Sequence, residues 1–306
     1  MPAAPVQYFD RYSQTVQTER IYGEAWLRRA YDNPLGRATV WLIARRLWFS
    51  RWYARKMKST ASSIQILPFV SEYELKWEEF VKSPFDYKTF NEFFSRALKP
   101  DARPITPGSE VAVFPADGRH LVFPNVDTAD GFYVKGFKFS IPELLGEAQV
   151  PEGERELSPL FAGGAMLISR LCPVDYHRFH FPVNGVPHET KSLPGWLYSV
   201  NPVALRLNIN YLVQNKRQIT RIDSPEFGPV AMIEVGATNV GSILQAFVPE
   251  RTYQKGDEKG FFSYGGSCVI TLFGPGRITF DRDLVEQSDQ QMETYVRMGD
   301  RLGGRR

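Results

Sequence analysis

Cysteine is nearly absent from this chain: only Cys172 and Cys268 occur among 306 residues. With no C-x-x-C spacing and no cluster of histidines around them, they give no disulfide framework and no sign of a zinc site. Charge of one sign is lacking as well, and a formal net charge of +3 is too small to assign a partner. Long apolar runs are missing: no stretch approaches the roughly 20 apolar residues of a spanning helix, so membrane contact is expected only from the surface. The start, Met1-Pro2-Ala3-Ala4-Pro5, has no basic head, apolar stretch or small-residue cleavage site, and the expectation is a chain that stays inside the cell. There is no internal repeat, and the only low-complexity stretch is Gly303-Gly304-Arg305-Arg306.

Apolar residues are plentiful, at 43% with 22 Phe, 14 Tyr and six Trp, enough to bury a substantial core. From about Tyr8 to Phe94 they recur at three- and four-residue spacing, broken only at places such as Asn33-Pro34-Leu35-Gly36, which predicts mainly helix. Arg37 to Lys58 holds seven Lys or Arg and no acid. On a helix, Val40, Trp41, Ala44, Leu47, Trp48 and Trp52 gather on one side, with Arg45 and Lys56 flanking and Arg46 behind. Arg51 and Arg55 fall on the Trp side, and Leu42, Phe49 and Tyr53 opposite, so the amphipathicity is partial. Such a helix suits the boundary of an anionic bilayer, or packs on its own domain with its arginines in water. Nucleic acid is the weaker partner, because no recognition motif accompanies the basic residues.

Three prolines and a glycine between Lys99 and Gly108 break this pattern and predict a boundary. Beyond it, short apolar and β-branched runs alternate with Gly, Pro and Asn, as at Ala165 to Ser169, Val230 to Val235, Ser242 to Val248 and Val269 to Phe273. The expected class is α+β: a helical, membrane-associating region over 1–100, then a mainly antiparallel, β-rich catalytic domain over 101–306.

Three polar clusters sit in the β-rich part: Pro115 to Arg119, Asp175 to His180, and Gly265 to Cys268. They supply Asp, His and Ser. A serine hydroxyl becomes a nucleophile when an imidazole takes its proton, and a carboxylate on the other ring nitrogen fixes the imidazole's tautomer. Each cluster also has an ordinary reading. Asp117-Gly118 makes a turn, His177 and His180 fall three apart on a strand or a helical turn, and Gly265-Gly266 makes a bulge.

Together the clusters resemble the signature of phosphatidylserine decarboxylase proenzymes. The matching stretches are Phe114-Pro115-Ala116-Asp117-Gly118-Arg119, Leu171 to His180, Tyr198-Ser199-Val200-Asn201-Pro202, Glu234-Val235-Gly236-Ala237-Thr238 and Lys255 to Phe262, in the family's order. Thr89 to Arg96 resembles the helical region that precedes them. The family's Gly-Ser-Thr processing site reads Gly266-Ser267-Cys268 here. The serine is retained, and Cys for Thr is expected to leave the chemistry open while altering its rate. A catalytic thiol at Cys268 lacks an adjacent activating residue.

The resemblance implies self-cleavage between Gly266 and Ser267. Asp117 orients His180, His180 acts as base toward Ser267, and Ser267 attacks the preceding carbonyl through an oxyanion whose donors the sequence does not identify. Loss of the α-proton then expels the Gly266 carboxylate, and hydrolysis of the dehydroalanine leaves a pyruvoyl group and ammonia. Chains 1–266 and 267–306 result, the second beginning with a covalent cofactor that needs neither metal nor pyridoxal phosphate. His177 is the implied acid that protonates the substrate after carbon dioxide leaves. His120 and His188 gain no role.

The implied substrate is phosphatidylserine, the product phosphatidylethanolamine, and the implied location the cytoplasmic face of the cell membrane, held peripherally. Trp41, Trp48 and Trp52 are the expected contacts to anionic phospholipid. The other partners are the two chains of the one precursor, with room for a homodimer and no nucleic acid. The alternatives are a pyruvoyl decarboxylase of a soluble amino acid, a serine hydrolase with Ser267 intact, and a non-enzymatic lipid-binding protein on the same scaffold.

Overall fold

The runs that read as strands become strands, and their composition follows from where they lie. In chain order these are β1 (Gln7–Asp10), β2 (Thr15–Thr18), β3 (Val111–Val113), β4 (Gly118–Phe123), β5 (Ala165–Leu171), β6 (Arg178–His180), β7 (Val186–Pro187) and β8 (Lys191–Leu193). They continue with β9 (Arg217–Ser224), β10 (Gly228–Gly236), β11 (Ile243–Gln245), β12 (Glu258–Phe262), β13 (Ser267–Phe273), β14 (Ile278–Phe280), β15 (Glu293–Val296) and β16 (Arg301–Arg305). The computed structural model describes residues 5–21, 23–40, 42, 47–238, 242–264 and 267–306. Of the residues singled out above, Trp41, Ala44, Arg45, Arg46, Gly265 and Gly266 lie outside the described residues, as do the side chains of Leu47, Trp48, Phe49 and Arg51.

Among the described residues a ten-stranded sheet runs β2-β1-β15-β4-β5-β13-β10-β9-β7, with β8 also on β9. Smaller sheets are β11-β12-β6 and β14-β16-β3. The described pairings are antiparallel except that of β1 with β15. At the centre, β5, β13 and β10 are buried on both faces, which is why they read as nearly continuous apolar runs. Leu167, Met232, Val269 and Phe273 pack into one core, and Ile168, Ile233, Ile270 and Leu272 into the core on the opposite face. The small sheet β11-β12-β6 contributes Ile243, Phe262 and Phe179 to the first of these cores and so lies against that face.

The region read as helical from Tyr8 needs correction at its start. Residues 7–18 form a β-hairpin, with Gln14 at φ 55 in the turn, and β1 pairs with β15 through Tyr8↔Glu293 and Asp10↔Tyr295. A pairing that spans almost the whole chain leaves no local trace, and Tyr, Phe, Thr and Val suit either a helix face or a strand. Helices follow at Glu24–Asp32, Pro34–Thr39, Leu47–Met57, Ile66–Glu72 and Phe90–Phe94. Thr89 caps the last by accepting the Glu92 N–H at 3.1 Å, and Phe90, Phe93 and Phe94 are buried. With Met57, Ile66, Phe69 and Tyr264 they form a satellite core that ties the helical segments to the residues just before Ser267.

Candidate active site

Ser267 opens β13 between Leu171 of β5 and Gly236 of β10. By the period of two it shares a face with Val269 and Phe273, the face covered by the small sheet. Cys268 points the other way, beside Ile270 and Leu272. Burial drives its thiol pKa well up, which disfavours the thiolate a catalytic cysteine needs.

The histidine segment is drawn against both other clusters by backbone hydrogen bonds. The His177 carbonyl accepts from the Phe262 N–H at 3.0 Å, at the end of β12, and the His180 N–H donates to the Pro115 carbonyl at 2.7 Å, beside Asp117. Phe94 stacks on His177 with ring centroids 3.9 Å apart and on Tyr264 at 5.0 Å, so the helix Phe90–Phe94 props both sides.

Each imidazole is fixed through Nδ1. That of His177 lies 3.0 Å from the Asp175 carbonyl oxygen, and that of His180 lies 2.9 Å from the Gly256 carbonyl oxygen. A carbonyl only accepts, so both Nδ1 atoms carry the hydrogen and both Nε2 atoms present lone pairs. Gly256 needs to be glycine: its φ is +87, and a Cβ there would come within 2.6 Å of Ile105. Burial, reinforced by the Arg96 charge, lowers the His177 pKa to about 3. Burial also lowers that of His180, against the opposing pull of the Gly256 carbonyl and the carboxylates of Glu258 and Asp117.

Three atoms stand out in this setting. Ser267 Oγ, His177 Nε2 and His180 Nε2 are all buried and all lack a hydrogen-bond partner. Each such atom costs on the order of 1–3 kcal/mol; Thr271 Oγ1 and Thr294 Oγ1 are buried and unpartnered too, so what sets these three apart is that each belongs to one of the matched motifs. No hydrogen bond joins any two of them; catalytic contacts are often loose before the reaction begins.

Asp117 is placed differently from a simple triad. Its carboxylate accepts from Arg103 Nε at 3.0 Å, Arg103 Nη2 at 2.6 Å and the Met298 N–H at 2.9 Å, and Arg103 Nη1 donates to Glu79 at 2.8 Å. The structure therefore does not join Asp117 to His180 by a hydrogen bond. The Arg103 fork and the Met298 amide occupy the carboxylate, while the Gly256 carbonyl occupies the imidazole. Asp117 reaches His180 through its charge and through the Pro115 backbone bond. Gly118 follows because the Arg170 carbonyl would stand 2.4 Å from any Cβ there.

Several participants were not foreseen from the sequence. Arg96, stacked on Phe80 and Phe93, donates Nη2 to the carbonyls of Val174 and Asp175 at 2.9 and 3.0 Å and so holds the loop that fixes His177. Arg119 grips the Asp175 carboxylate, which in turn accepts the Cys172 N–H at 2.6 Å. Arg170 lies between Glu19 and Glu293, 2.5 Å from each, with all three side chains buried. Arg96 and Arg119 did lie in the matched stretches, whereas nothing local marked Arg103, Glu19 or Glu293. His120 bridges Ser169 and the Val296 carbonyl in the core, and His188 lies between Asp223 and Glu250 at the surface.

Two cavities meet beside these segments. One, of about 570 Å³, is mostly apolar and includes Leu27, Trp52, Leu171, Cys172, Val200 and Tyr264 in its wall. The other, of about 380 Å³, is polar and reaches Asp117. Arg20, Tyr73 and Val174 line both.

Residues 90–304 match the family model described as phosphatidylserine decarboxylase. The chain is similar along its length to proteins named phosphatidylserine decarboxylase proenzyme. That of Chlamydia pneumoniae is 44% identical over 97% of this chain and 96% of its own. That of Chlamydia trachomatis is 43% identical over 100% and 99%, and that of Fusobacterium nucleatum 38% over 97% and 97%.

Proposed function

The chain belongs to the phosphatidylserine decarboxylase family, is made as a proenzyme and decarboxylates phosphatidylserine to phosphatidylethanolamine, and from this we propose that Ser267 becomes its pyruvoyl cofactor. The observation that carries the proposal is the set of three buried, unpartnered atoms: Ser267 Oγ and the Nε2 atoms of His177 and His180. Ser267 stands at the start of a strand held on both sides, where a group made from it would stay in register after the chain is cut.

In the uncut chain, His180 takes the Ser267 hydroxyl proton at Nε2, the atom its Gly256 contact leaves bare. Asp117, held as a carboxylate by Arg103, stabilises the imidazolium that results. Ser267 Oγ attacks the Gly266 carbonyl, the amide becomes an ester, and elimination of the Gly266 carboxylate followed by hydrolysis leaves the pyruvoyl group. That group supplies an electron sink for loss of carbon dioxide.

His177 then handles the substrate's proton. Its Nδ1–H is committed to Asp175 and burial keeps it neutral, so Nε2 must accept a proton before it can give one. The substrate ammonium is the donor: it yields a proton to Nε2, and Nε2–H returns that proton to the α-carbon once carbon dioxide has left. The apolar cavity beside Leu171 and Tyr264 suits the lipid portion.

Contact with anionic bilayer, from the cytoplasmic face, belongs to the same proposal. No helix among the described residues is long and apolar enough to cross a membrane. Leu35, Leu42, Trp52, Ile64 and Leu67, in the N-terminal helical segments, and Phe85, in the turn before the helix Phe90–Phe94, are exposed.

Intact mass tests the central step. The wild-type protein is expected as chains 1–266 and 267–306, Ser267→Ala as one uncut chain, and Asp117→Ala and His180→Ala as slowly processed. A wild-type chain that stays whole under all conditions refutes the pyruvoyl reading, and normal cleavage of either slow variant removes that residue from it.

A further inference from the structure

The polar cavity is lined by six cationic side chains, Arg20, Lys76, Arg96, Arg103, Arg119 and Arg297, and by four carboxylates, those of Glu74, Glu79, Asp117 and Asp175. Their pairing is uneven. Arg103 is consumed by Asp117, Glu79 and the Ala102 carbonyl, and Arg119 by Asp175. Arg96 donates only to carbonyl oxygens and has no carboxylate in direct contact among the described residues, although the charges of Asp117 and Asp175 reach it from farther off, and its Nε and Nη1 are buried without partners. Burial lowers its pKa to about 10, which still leaves it cationic at neutral pH. Arg297 stacks on Tyr12, forms no ion pair among the described residues, and has an unpartnered buried Nε. Arg20 is exposed and only 3.9 Å from Glu74.

A buried guanidinium with no carboxylate paired directly to it is costly, and a cavity that keeps one beside two loosely held arginines has room for a further anion. Planar guanidinium groups best match tetrahedral oxyanions and carboxylates. The cavity meets the apolar one at Arg20, Tyr73 and Val174, the arrangement an amphipathic phospholipid requires.

We infer that this cavity is an anion site that takes a phosphate oxyanion, with Arg20 and Arg297 as direct ligands at its rim and Arg96 as the fixed charge in its wall. The inference rests on the phosphatidylserine reading, with the lipid phosphodiester as one source and free phosphate as the other. Arg96 also holds the His177 loop, so an anion here touches the residues that set the catalytic imidazole.

The test uses the self-processed enzyme, carbon dioxide release from vesicles of phosphatidylserine in phosphatidylcholine, and inorganic phosphate as probe, with chloride at matched ionic strength as control. For the lipid source, phosphate competes with the substrate, and Arg297→Ala and Arg20→Ala each raise KM about tenfold, weaken that competition and leave kcat within about twofold. For the free-phosphate source, phosphate inhibits without competing, and the same variants lose the inhibition at unchanged KM. Wild-type insensitivity to phosphate together with unchanged KM in both variants overturns the inference. So does a rise in KM seen only on vesicles made strongly anionic with phosphatidylglycerol, since that is surface attraction. Arg297→Lys, which keeps charge but loses the fork, is expected between wild type and alanine. Completed self-cleavage certifies that each variant folded. A wild type that is uncut or releases no carbon dioxide instead counts against the underlying reading.

Discussion

At the scale of single residues, the two imidazoles make the pH dependence specific. A base whose folded pKa is lowered keeps its lone pair at pH values where a free imidazole has lost it. Burial lowers His180, the proposed base, so the rate of self-cleavage is expected to stay level from pH 8 down through 6.5 and to decline only below. Stability falls over the same acid range. His177, His180 and His120 are neutral in the fold and protonate on unfolding, so each contributes stability that is full above about pH 6.5 and lost as pH falls, by up to about 1.4 kcal/mol per unit per histidine. Timed sampling of newly made precursor at graded pH, with circular dichroism to confirm folding, checks this. A rate already halved at pH 7 in folded protein would remove His180 as the base. The sequence put forward Asp117, His177, His180 and Ser267 as the proposed site because they stand in ordered motifs that resemble the family's. It could not show that Asp117 is held by Arg103 rather than hydrogen-bonded to His180, since which acceptor a guanidinium finds is decided by how distant segments pack.

At the scale of elements, the proposed cut falls immediately before a strand lodged in the middle of the large sheet. β13 is paired along its seven residues with β5 on one side and β10 on the other, so both neighbours stay with the large chain while β13 leaves with the small one. The halves are also joined by charge. Arg170 of the large chain lies 2.5 Å from Glu293 of the small chain and equally near Glu19, all buried. Glu293→Gln leaves Arg170 paired with Glu19 but weakens the two charge-assisted bonds it makes to Glu293, so it is expected to lower unfolding stability by roughly 1.5–3 kcal/mol. The two chains should still co-purify under native conditions, because the strand ladders remain. Urea denaturation followed by near-ultraviolet circular dichroism reads the first, and size exclusion of the cut protein the second; an unchanged urea midpoint would show that Glu293 contributes nothing. The central strands were legible because apolar runs buried on both faces leave no ambiguity. The β1-β2 hairpin was not, since its identity as sheet comes from pairing with β15 at the far end of the chain.

At the scale of the whole molecule, the proposed bilayer contact would have the apolar cavity open toward the membrane, and exposed apolar side chains near that cavity are its support. Trp52 combines both requirements: it is 56% exposed and also part of the cavity wall. Ile64, in a short 3-10 helix, and Phe85, in a turn, are 79% and 78% exposed, where water contact gains them nothing. The basic stretch from Arg37 to Lys58 belongs to the same part of the chain and favours an anionic surface. Replacing Trp52, Ile64 and Phe85 together by Ala removes the apolar contact while leaving Ser267 and both histidines in place. The expected result is loss of most sedimentation with phosphatidylserine-containing vesicles and full self-cleavage. Activity on lipid dispersed in detergent should persist, since detergent delivers the substrate without docking. The Trp-rich helix read from the sequence supplies only part of this surface: Ile64 and Phe85 follow it, from segments whose exposure depends on how the satellite core around Phe93 packs. Unchanged sedimentation of the triple variant would move the bilayer to another face and leave the apolar cavity without its proposed entrance.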